Sequence, residues 1–134
     1  MCLQTLTNLF YFLYLFYMNN DKTKAVNLYK SSYDIYCGRG KGIKNNPLNC
    51  KIGEYGWLGN PISIMKSCLI CKHIHKKGGD TLNCFEKYLN QRLKDINFKT
   101  EFIKLRNKKL GCFCKPKPCH VDIIIKKLND LYNE

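Results

Sequence analysis

The chain has 134 residues, the length of one domain able to bury a core of its own. Its 45% hydrophobic and 25% charged residues exclude a disordered chain, and nine cysteines, odd in number and irregularly placed, exclude a standard secreted disulfide scaffold and point to an intracellular, reducing setting. A formal net charge of +13 favours polyanionic partners such as nucleic acid, nucleotides or anionic membrane, although scattered lysines give the same total without forming a binding face.

Residues 1–20 include no charged side chain, and positions 9–18 form a continuous apolar run. That run is shorter than the roughly 20 residues of a membrane span. It also lacks the basic flank and small-residue cleavage site of a secretory signal. Three readings compete for residues 1–18: a true start at Met18, a short hydrophobic anchor that would add a membrane partner, or a helix packed on the domain. Residues 19–134 read as a single α/β domain.

Along that domain, Lys24-Ala25-Val26-Asn27-Leu28-Tyr29 alternates weakly, and Tyr33-Asp34-Ile35-Tyr36-Cys37 is rich in aromatic and β-branched residues; both predict strands. The second ends on Gly38-Arg39-Gly40-Lys41-Gly42, where glycines permit a tight loop. Residues 43–61 hold the turn signals Asn45-Asn46-Pro47 and Gly59-Asn60-Pro61, and residues 62–80 are irregular. Asp80 or Thr81 is placed to cap a helix over about 82–93, with Phe85, Tyr88, Leu89 and Leu93 on one face. A second helix is predicted over 99–105, with Phe102 and Leu105 inward, and a short strand over 109–114. After Pro116 and Pro118, a last helix covers about 120–132, with Ile124, Ile125, Leu128 and Leu131 inward. The order predicts a small single α/β domain: a short mixed or parallel sheet covered by helices, closing on a strand-turn-helix at 109–132.

Three segments in order carry a recognisable pattern: Tyr33-Asp34-Ile35-Tyr36-x-Gly38-Arg39-Gly40, then Leu58-Gly59-Asn60-Pro61, then Leu110-Gly111-Cys112-Phe113-Cys114-x-Pro116-x-Pro118-Cys119-His120-x-Asp122. Over roughly residues 24–130 they resemble the family described as domain of unknown function 4326, found in phages, bacteria and large DNA viruses. The resemblance implies a fold and a site in a viral or phage setting, and no activity. Val121 stands where the family usually has glycine, which argues against close backbone approach of a ligand there. The stretch Cys68-x-x-Cys71-x-His73-x-His75 looks like an insertion peculiar to this chain.

The C-terminal cluster supports two chemistries. Strand alternation predicts Cys112 and Cys114 on one face and Phe113 on the other. Cys119 falls where the last helix begins, and the unpaired N–H groups and partial positive charge of a helix start favour a thiolate. As a catalytic set, Cys119 is nucleophile or general acid, His120 its proton partner and Asp122 the orienter. As a metal set, Cys112, Cys114 and Cys119, with His120, supply zinc's ligand types, although adjacent Cys119 and His120 do not readily ligate one ion. The plain alternative is that Cys112 and Cys114 are buried small hydrophobes.

A ligand's phosphate is expected at Gly38, Arg39 and Gly40, beside the anion-favouring helix start. Gly59 and Asn60 are expected to offer a backbone approach and an amide that reads a base or sugar edge. Trp57 and Tyr55 are stacking candidates, with core packing the commoner fate of a lone tryptophan. In the Cys68, Cys71, His73, His75 set the Cys-x-x-Cys is a good half-site, but His-x-His is too tight to complete it easily. Two functions follow: an enzyme acting on a nucleotide, nucleoside or nucleic-acid base, or a non-catalytic zinc- and nucleic-acid-binding module. A membrane-tethered accessory protein using residues 1–18 is a third.

Overall fold

The computed structural model describes residues 8–13, 22–39 and 47–133. Residues 8–13 are helical, with Phe10, Tyr11 and Phe12 exposed; the rest of the N-terminal run, Met18 included, lies outside the described residues. No helix among the described residues is long and apolar enough to cross a membrane.

Three short strands form the sheet: β1 (Lys24–Asn27), β2 (Ile35–Tyr36) and β3 (Lys109–Cys112). The last strand in sequence is central in space, in the order β1-β3-β2, and both neighbours run parallel to it. Ala25 pairs with Leu110 on one side, and Ile35 pairs with the same Leu110 on the other. A central strand is buried on both faces, and Leu110, Gly111 and Cys112 are buried in succession. Parallel neighbours normally need a long crossover; here strands of four and two residues let residues 28–34 make the return. That link closes over β3 at Gly111, where an added Cβ would lie 2.3 Å from Leu28 Cδ2 and 2.8 Å from Tyr33 Cγ.

Among the described residues from 22 onward, three α-helices accompany the sheet: α1 (Leu82–Arg92), α2 (Ile96–Ile103) and α3 (His120–Tyr132). Helix α3 packs on β1 and on α1. Of the predicted faces, Phe85 and Leu89 on α1 and Ile124 and Leu128 on α3 are nearly inaccessible, while Leu93, Ile125 and Leu131 are half-buried; α2 buries the expected Phe102 and also Phe98, which lies before the expected helix. Val121 is fully buried as well, so the position where a glycine was expected contributes a core side chain.

Local chemistry explains the shifted boundaries. Helix α2 starts at Ile96, before the expected residue 99, because Asp95 caps it, its carboxylate accepting from the Asn97 N–H at 2.9 Å. Neither Asp80 nor Thr81 caps α1 with its side chain; a 3₁₀ turn, Gly78–Thr81, leads into the helix, and the Thr81 hydroxyl donates back to Gly78 O at 2.8 Å. Strand β3 stops at Cys112, so the alternation expected through Cys114 fails: Cys112 is buried, whereas Phe113 and Cys114 are both exposed.

Candidate functional site

The carboxyl ends of β2 and β3 open into a cavity of about 1140 Å³. Crevices at the carboxyl ends of parallel strands are where α/β sheets hold their ligands. Its lining draws on Gly38 and Arg39 after β2, Asn60 from the Gly-Asn-Pro loop, Cys112 and Cys114 around the end of β3, and Cys119 and His120 at the start of α3. Residues far apart in sequence thus meet at one hollow. Gly40 lies outside the described residues.

The wall between β3 and α3 is fastened at several points. The Asn27 amide donates to Lys115 O at 2.7 Å, and Lys117 N–H donates to Cys114 O at 2.8 Å. Asp122 accepts from the Cys119 N–H at 3.0 Å and pairs with the Lys115 ammonium through its other oxygen. The carboxylate expected to orient His120 is therefore hydrogen-bonded as the helix's N-terminal cap.

His120 is oriented from elsewhere. Its Nε2 lies 2.5 Å from Cys37 O, which can only accept, so Nε2 carries the proton and Nδ1 is the free acceptor. Cys119 Sγ sits 3.5 Å from that Nδ1. Sequence neighbours at a helix start thus do face one another, because Cys119 is extended (φ −143°, ψ 152°) and His120 already helical. The imidazole is edge-on to Phe85, with ring centres 5.2 Å apart. Burial pushes His120 down to about 4, with the Arg39 charge acting the same way, against the Cys37 and Leu58 carbonyls.

The thiolate expected at Cys119 is overturned by desolvation. Cys119 is 2% exposed, and burial pushes its thiol well above the ordinary range. The Val121 N–H opposes this, but Cys112 and Cys114 add to it. The helix start is too weak to offset the loss of water. Cys37, fully buried, is raised for the same first reason, with Cys112 adding to it.

The loop residues are held by structural bonds. Arg39 donates to the carbonyls of Asn60 and Ile62 and, at 3.0 Å, to Ser63 Oγ, pinning one wall of the cavity to the other. Asn60 donates to Thr81 Oγ1 at 3.0 Å and accepts from the Ile62 N–H at 2.9 Å, so the amide expected to read a base fixes its own loop. Gly59 is needed for packing: a Cβ there would lie 2.8 Å from Gly38 O and 2.9 Å from Arg39 Cα. Trp57 is core, edge-on to Phe98, and Tyr55 stacks on Tyr36 with ring centres 4.1 Å apart. At the rim, Phe113 is half-exposed and lies 6.1 Å from Tyr36 and 5.4 Å from the exposed Tyr29.

A second cluster of ligand-type side chains forms outside this cavity. Cys68, Cys71, His75 and Cys84 bring their ligand atoms within 4.8 Å of one another, a set able to hold a metal ion. Among the described residues these four, and not Cys112, Cys114 and Cys119, come together in this way. Cys84, in the first turn of α1, takes the place expected for His73. The sequence signal that would have found it is a cysteine one turn into the helix that follows a Cys-x-x-Cys half-site. Burial opposes ionisation of Cys68, yet the Cys71 and Ile70 N–H groups, with the His75 and Cys71 side chains, bring it down to about 6. Cys84, buried beside Cys68 and Cys71, is pushed up to about 11.

Comparison with known proteins places this geometry in a family. The chain is 30% identical over 115 residues to the uncharacterized 12.4 kDa protein in the nrdA-td intergenic region of Enterobacteria phage T4, covering 83% of this chain and 82% of that protein. No solved structure matches the chain significantly. The family model described as domain of unknown function (DUF4326) matches residues 18–130, spanning β1, the cavity and nearly all of α3, and the chain belongs to that family.

Proposed function

We propose that the protein is an intracellular enzyme acting on a nucleotide, nucleoside or nucleic-acid base held in the cavity at the ends of β2 and β3. The supporting observation is the lining itself: Cys119 and His120 at the helix start, the cations Arg39, Lys115 and Lys117, and the aromatic rings of Tyr36 and Phe113 border one space. The positive charge of this lining suits a phosphate, with Lys117 exposed toward it, and the exposed ring of Phe113 suits a base.

The reacting pair is Cys119 with His120 as its proton acceptor. It starts neutral, so the nucleophile is generated during the reaction. With the imidazole at about 4 and the thiol above its ordinary 9.0, moving the proton costs at least roughly 7 kcal/mol. A turnover near 1 s⁻¹ corresponds to a barrier of about 17 kcal/mol. A cost of that size takes a large share of such a barrier, which predicts a slow enzyme.

The same neutral pair favours a second reading, a non-catalytic zinc- and nucleic-acid-binding module. Its contact surface would be the aromatic row Tyr29, Phe113, Tyr36 and Tyr55 within a chain of net charge +13. Titration of a nucleoside and nucleotide panel by calorimetry, with product analysis, separates the two. The enzyme reading expects a saturable ligand, weakened by Phe113→Ala and Lys117→Ala, and turnover lowered more than about 100-fold by Cys119→Ser with binding kept. Unchanged turnover in Cys119→Ser rejects the thiol role. Binding only to polynucleotides, with affinity falling steeply as salt rises, selects the second reading.

A further inference from the structure

Residues 63–80 form a wall of the cavity, contributing Ser63, Ile64, Gly78 and Gly79 to its lining, yet they have little apolar packing to hold them. Across that stretch Cys68 alone is buried, and Ser63, Ile70, Cys71 and His75 are half-buried. Its larger apolar side chains, Ile64, Met65, Leu69 and Ile74, face solvent. The backbone is nevertheless closely specified. Ser67 and Ile74 form an antiparallel bridge, and the N–H groups of Met65 and Cys68 donate to His75 O at 2.7 Å and His73 O at 2.8 Å. Met65 (φ 62°) and Lys72 (φ 66°) are left-handed without being glycine, a conformation that costs free energy for any residue with a Cβ. Something other than a core must offset that cost.

The inward-facing residues of the stretch supply it. We propose that Cys68, Cys71, His75 and Cys84 hold one zinc ion, a structural clip that fastens the 63–80 wall to the first turn of α1. The Cys68-x-x-Cys71 turn has the geometry of a metal knuckle: the Ile70 N–H points at Cys68 Sγ at 3.4 Å, and the Lys72 N–H closes onto Cys68 O at 3.0 Å. Cys71 Sγ and His75 Nε2 lie 3.5 Å apart. In a tetrahedral zinc site a sulfur and a nitrogen ligand are separated by about 3.6 Å and two sulfurs by about 3.8 Å. The present spread, 4.8 Å at most, is thus already close to the coordinated one.

Three thiolates and one imidazole select a thiophilic tetrahedral ion, and four protein ligands fill its coordination, so the metal is structural and not an open catalytic centre. On binding, the three thiols release their protons to solvent and the site has a net charge of −1. Lys66, Lys72, Lys76 and Lys77, flanking it in sequence and exposed, are suited to balance that charge.

The test is metal analysis of the full chain purified without chelator, followed by exchange with cobalt(II). The expected result is about one zinc per chain and a cobalt spectrum with thiolate charge-transfer and tetrahedral d–d bands. Cys84→Ser should cut zinc content below about 0.1 per chain. Because Cys84 is buried and its variant is liable to misfold, the half-buried His75 supplies the second arm: His75→Ala should lose the metal, His75→Cys regain it, and His73→Ala keep it. A folded wild-type chain that contains no zinc and gives no thiolate–cobalt band overturns the proposal. Metal lost equally from His73→Ala and His75→Ala overturns the assignment of ligands.

Discussion

Two groups of cysteines in this molecule look alike in sequence and differ in physics. Cys112 and Cys119 lie in a core already closed by Leu110, Val121 and Ile124, and the dominant influence on Cys119 is desolvation, which keeps it protonated. Cys68 lies in a stretch with almost no core, and two backbone N–H groups with two neighbouring side chains stabilise its charged form in spite of burial, while Cys84, reaching it from α1, is pushed up by burial and by its thiol neighbours. What separates the two is depth in the core together with the partners aimed at the sulfur: Cys119 has only first-turn N–H groups of α3 to oppose its desolvation, whereas Cys68 has two N–H groups and the His75 and Cys71 side chains. A buried thiol without donors behaves as a small hydrophobe, and one with donors is prepared for a cation.

The largest effect that would sharpen this contrast is metal removal. Chelation should lower stability by roughly 4 kcal/mol, the stabilisation given by a ligand at about a thousand times its Kd. The loss should be local, so hydrogen exchange is the check: amides of residues 63–80 should open while those of β3 and α3 stay protected. Equal opening of both regions would erase the distinction.

The next effect belongs to His120. Its folded-state value, about 4, lies below the ordinary 6.5, so the unfolded chain binds the proton more readily. Its contribution is full above pH 6.5 and is lost as pH falls toward 4, a change on the order of 3 kcal/mol. Urea unfolding of wild type and His120→Asn at both pH values isolates this share, since the variant cannot titrate there. A parallel pH dependence in the two proteins would mean that the imidazole is not held neutral.

Gly111→Ala should cost about 2 kcal/mol by overpacking against Leu28 and Tyr33, read as a lower denaturant midpoint with an unchanged slope. Smallest is Asp122→Ala: removal of the cap on the Cys119 N–H should cost about 1 kcal/mol, with His120 still bonded to Cys37 O. If that substitution instead shifts the titration of His120 strongly, Asp122 orients the imidazole after all.

Much of the fold was legible because it is written in local periodicity. Phe85, Tyr88 and Leu89 recur at helical spacing, Ile124 and Leu128 do the same, and Pro118 marks the start of α3. The start of α2 was missed by three residues, although Asp95 before a helical run is a capping signal that marks it. What the sequence could not show is three-dimensional exchange of partners. Strand alternation says nothing about where a strand ends, so Cys114 was expected beside Cys112. Residue type makes Arg39 and Asn60 resemble ligand contacts, yet their donors are taken by carbonyls and a hydroxyl of the opposing loop. Cys84 stands 13 residues beyond Cys71 in sequence, and only the folded chain brings its helical turn against the Cys68 knuckle.

The most direct test of the contrast is an anomalous difference map at the zinc absorption edge, from crystals of the full chain grown without chelator. The account predicts one strong peak enclosed by Cys68, Cys71, His75 and Cys84, and none beside Cys112, Cys114 or Cys119. A peak at the β3–α3 corner, with the Cys68 group bare, would contradict it.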